Sequence, residues 1–172
     1  ILSIGRITKQ KNFDLLINSI FNLSKKYKYI ELTIVGNGNL FKIIQNKISN
    51  QKNIKLIKWK KNLKPFFLKS DLFILSSYYE GLPNVLIDAV NYEVPCIATD
   101  VSGVRDILIN GKGGLIIANN NQKELEKNIE YSINNYSKIK KKIFLAKKKL
   151  FRFTNINCVI MHKQFNKIDN YK

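Results

Sequence analysis

The chain has 172 residues, of which 45% are hydrophobic and 11% aromatic, so it can bury the core of one compact domain. Its two cysteines are too few for a disulfide framework and are typical of a reducing cytosol, and its single histidine argues against a zinc site. The sequence contains no run of about 18 apolar residues that could span a bilayer. Because Ile1 stands inside an apolar run, we expect a piece of a longer protein cut at a strand.

The net charge of +18 would suit a nucleic acid or an acidic membrane as partner. Lysine supplies nearly all of the 30 basic residues, and abundant Lys, Asn and Ile are equally typical of a coding sequence rich in A and T. Both interpretations stay open at this point. In a chain that defaults to lysine, Arg6, Arg105 and Arg152 need individual reasons, because a planar guanidinium and a point charge are not interchangeable.

Short apolar runs alternate with amphipathic segments of helical length along the first part of the chain. The predicted strands span 1–5, 30–36, 54–58, 72–76, 94–99 and 113–117. The predicted helices between the first four strands span 12–27, 39–51 and 64–70. Strands separated by helices pair in parallel through right-handed crossovers, so we predict an α/β fold with a doubly wound, three-layer, Rossmann-like sheet of about six strands over residues 1–120.

The last fifty residues, 121–172, show no strand pattern and are predicted to be helices that pack on this core. These helices span 121–135, 137–151 and 154–168. The second of them has a stripe of apolar residues at steps of three and four: Ile139, Ile143, Ala146 and Leu150. Its opposite face is rich in lysine, which suits either a solvated packing helix or contact with an anionic membrane surface.

The motif GRITKQKN places two cations directly after the first predicted strand. Gly5 lets the chain turn with little crowding, and Arg6 and Lys11 then project from the loop and the helix start. Ligands of open α/β sheets bind beyond the carboxyl ends of the strands, where two cations would hold phosphate oxygens. The alternative is a pair of ordinary surface charges.

The stretch YYEGLPNVLID places two acids, Glu80 and Asp88, on either side of a predicted helix start. Gly81 would permit a sharp exit from the strand, and Pro83 suits a first helical turn. The backbone amides of residues 84–86 would then lack partners and form a cradle for an anion. Because carboxylates accept hydrogen bonds from hydroxyls, the stretch suits a ligand with a sugar on each side of its phosphates, which is the form of a nucleotide sugar.

Four motifs in this order resemble the C-terminal half of the retaining GT-B glycosyltransferases of the group 1 or family 4 type, which include many capsule and lipopolysaccharide enzymes. They are GRITKQKNFDLLI, LTIVGNGN, SSYYEGLPNVLIDAVNYEVPCIATDVSGVRDIL and NGKGGLII. FTNIN, residues 153–157, resembles the place where a last helix returns toward the partner domain. The resemblance implies one half of a two-domain GT-B fold, with the N-terminal, acceptor-binding domain outside this chain.

The resemblance also implies roles for individual residues. Arg6 and Lys11 would grip the diphosphate, and Glu80 would hold hydroxyls of the donor sugar; these three are the candidate catalytic residues. The candidate donor-binding residues are Gly5, Gly36, Trp59, Asn62, Gly81, Leu82, Pro83, Asn84, Val85, Asp88 and Arg105. Among them, Asp88 would take the ribose hydroxyls, and Trp59 and Asn62 would lie near the base, although plain packing of Trp59 fits its sequence position equally well.

The chain departs from the family pattern at four positions. Lys58 stands where the loop after the third strand commonly has glycine, and Asp106 stands where the acid is often glutamate. Asp88 stands where glutamate is usual, and its side chain is shorter by one carbon–carbon bond, about 1.5 Å. Glu93 stands where glycine is usual, which implies a more crowded turn.

The function implied is a donor-binding domain that transfers a hexosyl group from a nucleoside-diphosphate sugar to a glycan or lipid-linked acceptor, with retention, in cell-surface polysaccharide biosynthesis. Arg105 ends a Ser-Gly-x-Arg run, and in related sequences this run favours a UDP-sugar as the donor. Because no Asp-x-Asp pair occurs, we expect no metal cofactor, and we expect no nucleic-acid partner. The location implied is the cytoplasm, at the inner membrane face if the lysine-rich helix meets lipid. The alternative is a nucleotide-binding module that is inactive without a partner domain or subunit.

Overall fold

In the computed structural model, which describes residues 1–151, six strands form one sheet. The strands are β1 (Leu2–Ile4), β2 (Leu32–Val35), β3 (Ile54–Ile57), β4 (Phe73–Leu75), β5 (Cys96–Thr99) and β6 (Leu115–Ile117). All neighbouring strands are parallel, in the spatial order β3-β2-β1-β4-β5-β6. The predicted doubly wound parallel sheet is therefore confirmed, and each strand is shorter than predicted by one or two residues at one or both ends.

Helices fill the connections between the strands. They are α1 (Phe13–Lys26), α2 (Phe41–Lys47), α3 (Lys64–Leu68), α4 (Asn84–Asn91), α5 (Val104–Ile107), α6 (Gln122–Asn134) and α7 over 136–151. The helix predicted over 39–51 was two residues too long at its start and four at its end, where the Ser49 N–H donates to the Asn46 carbonyl at 3.2 Å as the chain turns. Arg152, FTNIN and the helix predicted over 154–168 lie outside the described residues.

The core has two layers, one on each face of the sheet. On one face α1 and α6 pack through apolar side chains that include Leu16 and Ile129. On the other, α4 and α5 pack through side chains that include Leu86 and Val104. Because helices cover both faces, ligands can reach the sheet only at its ends.

Glu93 forms the tight turn between α4 and β5. Its φ of 59° is left-handed, a conformation that costs a residue with a Cβ atom about 1–2 kcal/mol. Its carboxylate pairs with Lys147 Nζ at 2.5 Å, and its carbonyl accepts a hydrogen bond from Lys140 Nζ at 2.7 Å. The turn that the sequence indicated as crowded thus anchors α7 to the core.

Candidate donor site at the carboxyl edge of the sheet

Loops from β1, β4 and β6 are hydrogen-bonded to one another at the carboxyl edge. The Tyr78 N–H donates to the Gln10 carbonyl at 2.8 Å, and the Ser76 hydroxyl donates to the Lys11 carbonyl at 2.9 Å. The Asn119 side chain donates to the Tyr78 carbonyl at 2.7 Å. Two motifs far apart in sequence therefore form one surface.

An ion pair between Lys11 and Glu80 lies at the centre of this surface. The Lys11 Nζ atom is 2.5 Å from Glu80 Oε1, and the two side chains are only 12% and 7% exposed. A Cβ atom at Gly5 would lie 3.0 Å from Lys11 Cε, so the glycine leaves room for the lysine stem. The motifs predicted separate parts of the ligand for these two charges, whereas the structure makes them direct partners.

Ser77 is a residue of this site that was not predicted from the sequence. Its hydroxyl donates to the same Glu80 oxygen, Oε1, at 2.6 Å. Within residues 1–151, Glu80 Oε2 accepts no hydrogen bond, and Lys11 Nζ keeps two further N–H groups. The carboxylate is thus fixed by one oxygen and can accept a ligand hydroxyl with the other. Ser77 stands three residues before Glu80, and this spacing was the signal in the sequence that could have identified it.

Gly36 brings the ends of β1 and β2 into direct contact. A Cβ atom built on Gly36 would lie 1.8 Å from the carbonyl oxygen of Gly5, a distance that no side chain tolerates. The role of this glycine is therefore close backbone approach beneath the loop that carries Arg6. The Arg6 side chain is exposed, and no described residue forms an ion pair with it.

Trp59 and Asn62 lie on the loop after the edge strand β3. The Trp59 N–H donates to Asn37 Oδ1 at 3.1 Å, which ties this loop to the glycine turn after β2, and the residue is 49% exposed. Asn62 Oδ1 accepts the Lys64 N–H at 3.1 Å, at the start of α3. Both residues lie at the predicted edge of the sheet, but no hydrogen bond joins either of them to Glu80.

The start of α4 offers fewer free amides than predicted. Pro83 takes φ −78° and ψ 77°, which lets the Asn84 N–H donate to the Leu82 carbonyl at 2.9 Å. The Leu86 N–H donates to the Pro83 carbonyl at 2.8 Å. The prediction of a cradle of free amides was therefore wrong for Asn84 and Leu86. Of the three, only the Val85 N–H has no hydrogen-bond acceptor among residues 1–151.

The backbone at Gly81 does not need glycine for the sharp exit from the strand that was predicted. Its φ is not left-handed, so the exit from β4 does not require glycine, and a Cβ atom there would meet nothing within 4 Å. The space around Gly81, next to the exposed Leu82, is therefore open before the helix start. A left-handed glycine, Gly103, lies in the next loop with φ 78°, and a Cβ atom there would lie 3.1 Å from Pro83 Cδ. The loops after β4 and β5 are therefore packed against each other.

Asp88 lies on α4 as a partly buried acid, and its carboxylate forms no hydrogen bond with the described residues. Burial raises its pKa above the ordinary value for aspartate. A carboxylate without protein partners has both oxygens available for ligand hydroxyls, and the binding of ribose hydroxyls by Asp88 stays a prediction.

We expect Asp88→Asn to stabilise the ligand-free chain slightly at neutral pH. The raised pKa means that the folded chain gives up the Asp88 proton less readily than the unfolded chain, so ionisation opposes folding above the unfolded pKa. This penalty disappears as the pH falls through the raised pKa and then the unfolded value. Urea unfolding at about pH 7 and about pH 3.5 should therefore show a gain at the higher pH only. Equal stability of Asp88→Asn and the parent chain at neutral pH would contradict this prediction.

Arg105 is engaged by a neighbouring acid. Its Nε atom donates to Asp100 Oδ1 at 2.8 Å and its Nη2 atom pairs with Asp100 Oδ2, which raises the pKa of the exposed guanidinium. A donor that used Arg105 would have to share it with Asp100.

Within residues 1–151, no three His, Cys, Asp or Glu side chains converge where they could hold a metal ion.

Comparison with known proteins identifies the family. The family described as Glycosyl transferases group 1 matches residues 1–150. An uncharacterized glycosyltransferase of Methanocaldococcus jannaschii is 40% identical over 111 residues, covering 62% of this chain and 27% of that protein. The capsular polysaccharide biosynthesis glycosyltransferase CapM of Staphylococcus aureus is 30% identical over 138 residues, covering 78% of this chain and 36% of CapM.

The fold also matches a solved glycosyltransferase. A point mutant of S. aureus TarM, in complex with fondaparinux, α-GlcNAc-glycerol and UDP, superposes with a TM-score of 0.82 at 24% identity, over 88% of this chain and 32% of TarM. The chain spans only about a quarter to two fifths of the length of the first curated relatives it matches. Its sheet corresponds to one half of a GT-B enzyme, as the motifs had implied. The chain belongs to the glycosyl transferases group 1 family.

Proposed function

We propose that this chain is the donor-binding half of a retaining glycosyltransferase that transfers a hexosyl group from a nucleoside-diphosphate sugar to a glycan or lipid-linked acceptor. The observation that supports it most is the nearly buried Lys11–Glu80 pair, held at the carboxyl edge of a doubly wound sheet with one carboxylate oxygen unused. An ordinary ion pair on the surface has no need to be shielded from solvent in this way. An acid that binds a sugar, in contrast, needs a fixed orientation.

In this proposal the parts of the ligand meet different groups. Arg6, the two remaining N–H groups of Lys11 and the Val85 amide bind the diphosphate. Glu80 Oε2 accepts a hydroxyl of the transferred sugar, and Asp88 accepts the ribose hydroxyls. The cations stabilise the charge that grows on the leaving diphosphate, and the donor's own phosphate takes the proton of the acceptor. We expect transfer by the complete enzyme to continue when divalent metals are removed with a chelator.

The finer assignment is a UDP-sugar used in cell-surface polysaccharide biosynthesis. The Ser-Gly-x-Arg run that ends at Arg105 supports it, as do the capsule enzyme CapM among the relatives and the UDP in the TarM complex. A thermal-shift panel of UDP, GDP, ADP and their sugar conjugates tests this choice. The largest shift should come from a uridine ligand.

The shortness of the chain relative to its family leads us to propose that acceptor recognition belongs to another domain. The 172 residues should then bind nucleotide weakly and transfer almost no sugar. Full turnover by this chain alone would contradict that part of the proposal.

We expect Arg6→Ala to weaken UDP binding by roughly 10- to 100-fold, since a charge-assisted contact to a phosphate is lost. Titration calorimetry of the 172-residue chain measures it. Lys9→Ala is the matched control, because Lys9 is an exposed cation in the same loop, and it should change the affinity little. Equal, small losses in both variants would mean that Arg6 is an ordinary surface charge and that the site is wrongly assigned.

A further inference from the structure

The helix α7 carries exposed apolar side chains on the face that points away from the core. Its inward stripe, Ile139, Ile143 and Ala146, is buried. On the opposite side the exposed residues fall at helical spacing and define the outer face of α7: Lys138, Lys141, Phe144, Leu145 and Lys148. Leu145 is 53% exposed and Phe144 is 46% exposed, so the core does not account for them.

The lysines of α7 divide into two groups by their contacts. Those beside the buried stripe bind the core: Lys140 and Lys147 hold Glu93, and Lys142 donates to the Gly111 carbonyl at 2.9 Å. The side chains of the three outer-face lysines form no hydrogen bond or ion pair with the part of the chain that the structure describes. No acid occurs anywhere along α7, so nothing on the helix itself neutralises this face.

We propose that the outer face of α7 docks on the surface of an anionic lipid bilayer. Lysines around apolar side chains on one helix face are suited to the interface, where the ammonium groups meet lipid phosphates and the rings and aliphatic chains enter the headgroup boundary. Lysine is depleted at protein–protein interfaces, which argues against a protein as occupant. A nucleic acid would use the lysines but gain little from Leu145. No helix within residues 1–151 is long and apolar enough to cross a bilayer.

The test is co-sedimentation of the 172-residue chain with vesicles. Vesicles of phosphatidylcholine alone should bind little protein, and vesicles with about a third phosphatidylglycerol should bind it in a way that weakens with salt. Lys141→Ser and Leu145→Ser should each lower partitioning roughly fivefold, and the double variant on the order of twentyfold. The matched control is the double variant Lys42→Ser and Ile43→Ser on α2, where Ile43 is 63% exposed; it removes the same charge and similar apolar area and should retain binding.

Two results would overturn the proposal. If the α2 control lost as much binding as the α7 double variant, only net charge would matter. If Leu145→Ser and Phe144→Ser bound vesicles as the parent chain does while Lys141→Ser did not, the face would be a general site for polyanions, and duplex DNA should then compete equally. Circular dichroism verifies that the variants fold. The thermal shift with UDP, measured on the same α7 variants, reports separately on the donor site, which this inference does not require.

Discussion

Gly36→Ala is expected to destabilise the fold by roughly 3 kcal/mol or more, a large share of the stability of an ordinary domain. The added Cβ atom would lie 1.8 Å from the Gly5 carbonyl oxygen and 3.1 Å from Ile7 Cδ1. The atom that opposes the new Cβ atom belongs to the backbone and not to a flexible side chain. The ends of β1 and β2 must therefore separate. This strains the hydrogen bonds Gly5 N–H to Val35 carbonyl, 3.0 Å, and Gly36 N–H to Ile57 carbonyl, 2.9 Å. Urea unfolding followed by circular dichroism measures the loss.

Two other glycines of the candidate site provide the comparison series. Gly81→Ala should leave the urea midpoint unchanged, because no atom lies within 4 Å of the new Cβ position. Gly5→Ala should fall between the two, since the nearest atom, at 3.0 Å, belongs to the flexible stem of Lys11. An alanine at position 36 that left the unfolding free energy unchanged would show that β1 and β2 are not in close contact there.

The sequence predicted the sheet well because apolar runs and helical periodicity are local signals. Each of the six strands was located, and parallel pairing follows from the helices between them. The one-turn helix α5 was not predicted, because four residues are too few to show a helical period. The ends of the strands were predicted too long, since apolar residues such as Val94 remain buried beyond the hydrogen-bonded ladder.

The site was predicted only in part, because its geometry depends on contacts between distant loops. Local turn chemistry correctly placed Glu80 and Lys11 at one edge of the sheet, but nothing in either motif shows that they meet, since 69 residues separate them. The amides at the start of α4 depended on the dihedral angles of Pro83, which the residue type restricts only at φ. Asp100, the partner of Arg105, is ordinary in sequence and was not predicted to be its partner.

Glu80→Gln should leave UDP affinity unchanged or higher and lower the affinity for a UDP-sugar by roughly 10- to 100-fold. The change removes a negative charge near the proposed diphosphate site and leaves Lys11 free to bind phosphate, while the amide is a weaker acceptor for the sugar hydroxyl. Calorimetric titration of the 172-residue chain with UDP and with the sugar conjugate chosen by the thermal-shift panel separates the two effects. In the complete enzyme, sugar transfer should fall by at least as much.

The control must break an ion pair without touching the site, and Asp14→Asn does so. Asp14 pairs with Lys47 at 2.5 Å, and its side chain is 59% exposed, far more than that of Glu80. Loss of this pair should change neither the UDP affinity nor the UDP-sugar affinity. Ser77→Ala should lie between the parent and Glu80→Gln for the UDP-sugar, because it removes one of the two groups that orient Glu80 Oε1 while keeping the charge. If Glu80→Gln weakened UDP and the UDP-sugar equally, Glu80 would serve only to hold Lys11 in place, and the carboxylate would have no part in recognising the sugar.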